Sequence, residues 1–351
     1  MKKFFNFLII IAIASIFLFA SCKGDKKNTS SMDADESITG KIKIYTSIYQ
    51  DILDAVSVVL EKKFPNLQIE YFQTGGGVLV TKVNAEIVTG KLGGDMVVGA
   101  EIAYALELKE QGILHSYKSP LIPQLAFDYD KDFQWYPLRL NIMVLAYNPE
   151  KYNKKDLPNS FYDFAFDSRV AGAISMSNPL TSATAMMAAT ALRDKYGYEY
   201  YEALGKQKVM IESGPAAITK LETGECKVIM VIEESVLKKR EEEKSKIEVI
   251  YPTDGVMISP SPIMIINDKW NANKNTKAAE AITDFLLGPE GQKAWIDGWM
   301  HSVLKDFPAI PYDSIPLKEI RINEIPVNWE AVYRQREEVR TKFEQFVSTK
   351  K

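Results

Sequence analysis

Two cysteines and two histidines in 351 residues leave little material for soft-metal or nucleophilic chemistry. Zinc needs Cys and His at set spacings, and none can be written here: Cys22 and Cys226 are far apart, and His115 and His301 lie in different regions. The chain also lacks a Gly-x-Ser-x-Gly elbow, a His-Glu-x-x-His pair and a Gly-x-x-x-x-Gly-Lys-Ser/Thr phosphate loop. Enzymatic activity is therefore not expected, although Glu233 and Glu234 offer a carboxylate pair. A basic excess is missing too. Lys plus Arg number 43 against 46 Asp plus Glu, which argues against a nucleic-acid partner. Nothing in the composition suggests disorder, and the length suffices for two domains with their own cores.

What is present begins with export. Lys2-Lys3 and the apolar run from Phe4 to Ala20 form the n- and h-regions of a signal peptide, too short and wrongly flanked for a membrane span. Leu18-Phe19-Ala20-Ser21-Cys22 resembles a bacterial lipobox, which implies lipid on Cys22 and attachment to the cell membrane or outer membrane, facing the periplasm or the surface. With Cys22 lipidated, Cys226 has no disulfide partner. Residues 1–22 are thus read as signal peptide with lipobox, and residues 23–40, polar and without periodicity, as a flexible tether.

The mature chain opens with strand-loop-helix units. Lys41-Ile-Lys-Ile-Tyr45 alternates like a strand, and Ile52, Val56, Val59 and Leu60 then recur at helical spacing as far as Phe64-Pro65. A second strand, a Thr74-Gly-Gly-Gly77 loop and a second helix follow, and then a short apolar strand, Gly94 to Gly99, with its helix. Three such units imply an α/β fold with a doubly wound, mainly parallel sheet whose loops gather at one edge. The long strand Leu138–Tyr147 and the extended, proline-bearing Val256–Ile266 are read as crossings between two lobes. The prolines there suit an edge or hinge and argue against a central strand. The division expected is residues 41–138 for the first lobe, 139–262 for the second, and 263–351 for a return to the first, with helix Trp329–Phe346 outermost.

Three loops feed helix starts, where unpaired amides and the positive dipole end suit an anion. They supply Thr46, Ser47 and Tyr49; Thr74, Gly75, Gly76 and Gly77; and Ser177, Asn178, Thr181, Ser182 and Thr184. Glu101 and the Glu233-Glu234 pair complete the candidate site, which carries no catalytic residue.

Ile44-Tyr-Thr-Ser47, Phe64-Pro65, Lys82-Val-Asn-Ala-Glu86, Leu108-Lys-Glu-Gln-Gly-Ile-Leu114, Tyr147-Asn-Pro149 and Val249-Ile-Tyr-Pro-Thr-Asp-Gly255, in that order behind a lipobox, resemble the bacterial ferric-iron-binding class of solute-binding proteins. These are the capture subunits of ABC importers. The resemblance covers nearly all of the mature chain. It implies a two-lobed type II periplasmic-binding fold, a ligand cleft between the lobes, a monomer, and delivery to a permease driven by an ATPase. It implies no resident cofactor. Members also carry phosphorylated and other anionic organic solutes. In iron binders a His four positions after the first-strand Tyr is a ligand; here that position is Tyr49. Two adjacent tyrosines after a second-lobe strand are replaced by Glu233 and Glu234. Two cargoes therefore stay open: a small anionic solute, or ferric iron through Tyr49, Glu233 and Glu234. Tyr200-Tyr201 is read as core.

Overall fold

Alternating side chains make β1 (Gly40–Thr46), which buries Ile42 and Ile44 on one face. Helix α1 (Gln50–Lys63) buries Ile52, Leu53, Val56 and Leu60 and stops at Phe64, where the following proline disfavours further helix. β2 (Leu67–Gln73), α2 (Gly76–Val88), β3 (Met96–Val98) and α3 (Ile102–Glu110) complete the three units. β1 pairs in parallel with β2 on one side and β3 on the other. The structure, a computed structural model, describes residues 33–348 except Ala100, Ala309 and residues 311–313. The signal peptide and Cys22 lie outside the described residues.

β4 (Trp135–Tyr147) is buried along its whole length. It leads through α4 (Phe161–Phe166), β5 (Ile174–Ser177), α5 (Ala183–Tyr196), α6 (Glu199–Lys206) and β6 (Met210–Glu212). α7 (Gly214–Thr223), β7 (Val228–Ile232), α8 (Glu233–Glu242) and β8 (Glu248–Ile250) follow. β9 (Met257–Ile265) carries the chain back to α9 (Thr276–Leu287), α10 (Pro289–Asp297), α11 (Leu317–Ile320), α12 (Trp329–Arg334) and α13 (Arg336–Phe343). Among the described residues no helix is long and apolar enough to cross a membrane.

The strands form one continuous sheet in the order β2-β1-β3-β9-β4-β7-β5-β6, with β8 also on β4. The expected parallel pairing holds at both flanks, β2-β1-β3 and β7-β5-β6. At the centre β4 and β9 run antiparallel and join the flanks, so the lobes share a sheet instead of each owning a separate one. Among the described residues, two of the buried apolar clusters lie along it. One gathers Tyr45, Leu79, Val83, Val97, Tyr104 and Met264; the other gathers Met143, Phe161, Phe164, Met187, Leu192 and Tyr201.

Three expectations need correction. β9 is a central strand despite Pro260 and Pro262. The Pro262 carbonyl accepts from the Gly99 amide at 3.1 Å, so the backbone there faces away from β4. Pro260, two residues earlier, faces the same way, beyond the end of β3, where no neighbouring strand needs its missing N–H. The C-terminal helix is broken at Gln335 into α12 and α13, and Val332, Val339 and Phe343 enter the second core, not the first. Polar groups on the same helices reach back to α3: Tyr333 donates to Glu110 at 2.6 Å, and Arg336 lies 3.3 Å from both Glu101 and Glu107. Finally, the end of the stretch read as a tether is docked. Ile38 is buried, and the Asp35 amide donates to the Lys63 carbonyl. Tyr200 and Tyr201 are core, as read, with hydroxyls donating to the Phe161 and Ala189 carbonyls.

Candidate ligand-binding site

The starts of six helices line one cavity of about 320 Å³. Tyr49 precedes α1, Gly75 and Gly76 open α2, Glu101 precedes α3, Ser182 to Thr184 open α5, Ser213 and Gly214 open α7, and Ile232 and Glu234 open α8. Ser182 and Ser213 are N-caps whose hydroxyls accept from the Ala185 and Ala216 amides at 3.3 and 3.4 Å. α1, α2 and α8 have no side-chain cap, so their first amides are left for water or a ligand. Glycine is required at one supporting position. Gly99 has φ of +89°, and a Cβ there would lie 2.9 Å from Ile48 Cγ1. That backbone carries the carbonyl that Ser47 Oγ donates to, which fixes the first loop.

Charge in the cavity centres on Arg139, Glu234 and Tyr49. Arg139 comes from the middle of β4, is buried, and stands 3.9 Å from Glu234 Oε1. Neither Arg139 Nε nor Glu234 Oε1 has a hydrogen-bond partner among the described residues. Burial pushes the Glu234 carboxyl up to about 7, while Arg139 pulls it down and Glu233 adds to the rise. Burial first and the Glu234 charge second raise the Tyr49 phenol, against the pull of Arg139. Glu101, also in the lining, is raised to about 7 by burial, opposed by Arg336 and Arg340 and reinforced by Glu107. A buried guanidinium with a free donor, surrounded by helix starts, favours a negative group; the carboxyls beside it favour hydroxyl or amine donors.

Of the candidates read from the sequence, Ser47, Tyr49, Gly75, Gly76, Glu101, Ser177, Asn178, Thr181, Ser182, Thr184 and Glu234 line this cavity. Four do not. Thr46 is buried beneath it, its Oγ1 accepting from the Ile48 amide at 3.1 Å. Thr74 ties its amide to the Thr46 carbonyl and lies outside the lining. Gly77 belongs to an adjoining cavity. Glu233 turns the other way, accepting from Tyr251 and meeting His301 Nε2 at 2.7 Å. The oxygen set Tyr49, Glu233 and Glu234 is therefore not assembled, because consecutive residues at a helix start point about 100° apart. Sequence reasoning missed Arg139, Asn141, Glu212, Ser213 and Ser259, all of which line the cavity. The available signal was Leu138-Arg-Leu-Asn-Ile142, two polar residues at strand spacing inside an apolar run.

The sequence pattern of the family described as bacterial extracellular solute-binding protein matches residues 95–319, more than half of the chain. The chain belongs to this family of solute-binding proteins. No curated protein matches it in sequence. Among solved structures, iron-bound HitA from Pseudomonas aeruginosa is 21% identical, with 87% of this chain and 99% of that one covered and a TM-score of 0.74. The periplasmic binding protein AfuA from Actinobacillus pleuropneumoniae, with fructose-6-phosphate bound, is 20% identical over 88% and 99%, also with a TM-score of 0.74. A periplasmic thiamin binding protein is 16% identical over 90% and 99%, again at 0.74. The fold is thus the two-lobed fold of periplasmic binding proteins.

Proposed function

We propose that the chain captures a small anionic organic solute, a phosphorylated one, and delivers it to an ABC permease and its ATPase. The observation that carries this reading is the convergence of six helix starts on a cavity whose lining arginine among the described residues, Arg139, is buried with a free donor. A phosphate seated there accepts from backbone amides and from Arg139, and Glu234 takes hydroxyl or amine groups of the rest of the solute. The AfuA complex with fructose-6-phosphate supports this cargo by precedent within the fold. The HitA neighbour is iron-bound, yet here Glu233 turns to Tyr251 and His301 and a guanidinium stands 3.9 Å from Glu234. As further parts of the proposal, the lobes divide at residues 138/139 and 262/263 and close on the solute as a monomer, and lipid on Cys22 holds the protein at the membrane.

The test is a screen of purified protein against hexose phosphates, glycerol phosphates, phosphonates and ferric citrate, read by thermal shift, calorimetry and X-ray scattering. Phosphorylated solutes should raise the melting temperature by mass action and shrink the radius of gyration. A coloured, Tyr49-dependent iron complex without any response to phosphates would overturn the cargo, and silence throughout would overturn the capture role. Cys22→Ser should release the protein from membranes, and a variant that stays bound would exclude the lipid anchor.

A further inference from the structure

A second, larger cavity of about 660 Å³ adjoins the first across the start of α2 and α5, with Gly75, Gly76, Glu101 and Thr181 in both linings. Where the two cavities meet, a Cβ built on Gly75 meets nothing within 4 Å and one on Gly76 only Ser47 Cβ at 4.0 Å, while one on Gly77 would approach the Thr181 carbonyl at 3.4 Å. Its walls combine the apolar Val80, Leu180 and Met186 with Arg340 from α13. Two polar atoms here are buried without a partner among the described residues: an acceptor, Glu101 Oε2, and a donor, Arg340 Nε. The Glu101 side chain is nine-tenths buried, and Arg336 engages only its other oxygen, at 3.3 Å. Charge in this cavity is nearly balanced, since Arg336 sits against Glu101 and Glu107 and Arg340 against Glu337. A further anion is poorly matched to such a set. A group with its own hydroxyl donors and acceptors and a flat apolar face matches it well.

Resting on the anionic-solute reading, we infer that this second cavity is a subsite for a sugar moiety beyond the phosphate-bearing ring, so that the cargo is a phosphorylated disaccharide or a comparably extended glycosyl phosphate. The first cavity, at the low end of small-molecule sites, seats the phosphate and one ring. The junction at Gly75 and Gly76 passes the glycosidic link, and the second ring lies on Leu180 and Met186 with hydroxyls on Glu101 Oε2 and Arg340 Nε. The extra ring is then recognised by the groups that the fold otherwise leaves unpaired.

The experiment measures affinity by calorimetry for inorganic phosphate, glucose 6-phosphate and trehalose 6-phosphate. Wild type should bind the disaccharide phosphate at least about tenfold more tightly than the monosaccharide. Thr81→Trp fills the second cavity from its exposed rim and Arg340→Met removes its free donor; neither residue lines the first cavity. Both variants should abolish the disaccharide advantage and leave glucose 6-phosphate unchanged. If glucose 6-phosphate binds and trehalose 6-phosphate binds no better, or if its advantage survives both variants, the subsite is refuted while the anionic-solute reading stands. If none of the three compounds binds, the subsite falls, and the anionic-solute reading falls with it only if glycerol phosphates and phosphonates are silent too.

Discussion

The sharpest consequence of the Arg139–Glu234 arrangement is the sign of the pH dependence of binding. In the unliganded site Glu234 titrates at about 7, held up by burial and down by Arg139 3.9 Å away. A phosphate that takes Arg139 as partner removes that downward pull and adds negative charge beside the carboxyl, so the bound state keeps Glu234 protonated. Binding then takes up a proton wherever the free protein has lost one. The association constant scales with the protonated fraction of the free site and drops by roughly tenfold to a hundredfold between pH 7 and 9, close to tenfold per unit at the upper end. A phosphomonoester is already dianionic over this range, with its second pKa near 6, so the ligand adds no slope of its own. Calorimetry with a hexose phosphate in two buffers of different ionisation enthalpy reads both the slope and the proton taken up. Glu234→Gln, neutral at every pH, should lose most of this slope and keep only the part that Glu101, raised to about 7 in the same lining, contributes. Ferric capture through the same carboxyl requires the ionised form, so its affinity would rise. A flat or rising profile for the wild type would refute the reasoning.

Other consequences are as direct. Arg139→Gln should weaken a phosphorylated solute by about 10-fold to 150-fold, the worth of a charge-assisted hydrogen bond of about 1.5–3 kcal/mol, read by calorimetry. Adding Glu234→Gln should restore the melting temperature but not the affinity. Tyr251→Phe leaves the buried Glu233 short of one donor and should cost about 1–3 kcal/mol in urea unfolding without changing which solutes bind. Gly99→Ala, strained at φ of +89° and crowded by Ile48, should destabilise by about 1–3 kcal/mol and also weaken binding, because the Ser47 loop hangs on that residue. In the unliganded protein Glu101 and Glu234 both stand at about 7 against an ordinary 4.5, so the folded state holds more protons between those values. Their stabilising contribution is complete below about 4.5 and is lost as pH rises through about 7, so a melting-temperature profile in which neither Gln variant flattens the decline across pH 5 to 8 would contradict it.

The parallel flanks were legible because β-alternation, helical spacing and loop chemistry agree there: β1, α1, β2 and α2 appear where Lys41-Ile-Lys-Ile-Tyr45 and the residues after it put them. The centre of the sheet was harder. Pro260 and Pro262 read as an edge, because one sequence cannot say which side of a strand a missing N–H faces; only the short reach of β3 makes them harmless. Val332, Val339 and Phe343 alone do not say which core they enter. The helices that carry them serve both lobes, apolar on one face and bound by arginine to α3 on the other.

Glu233 and Glu234 show the same limit at the site, and also why the site is built as it is. Both open the charged helix α8 and read as equivalent ligand groups. One turns to Tyr251 and to His301, which is brought in by the segment after α10. The residue before His301 is Met300, whose sulfur contacts the guanidinium of Arg139. A single short stretch thus touches both the carboxylate that anchors the start of α8 and the arginine in the middle of β4. Adjacent charged residues of opposite sign, each nearly without water, keep their places only if something fixes both backbones, since loss of either partner leaves an uncompensated buried charge. The Met300-His301 stretch supplies that fixation, and with it the aim of Glu234 and Arg139 into the cavity. Glu233 is accordingly a positioning residue, and Glu233→Gln against Glu234→Gln should separate the roles: both should lower the melting temperature, and only the second should remove most of the pH slope of binding.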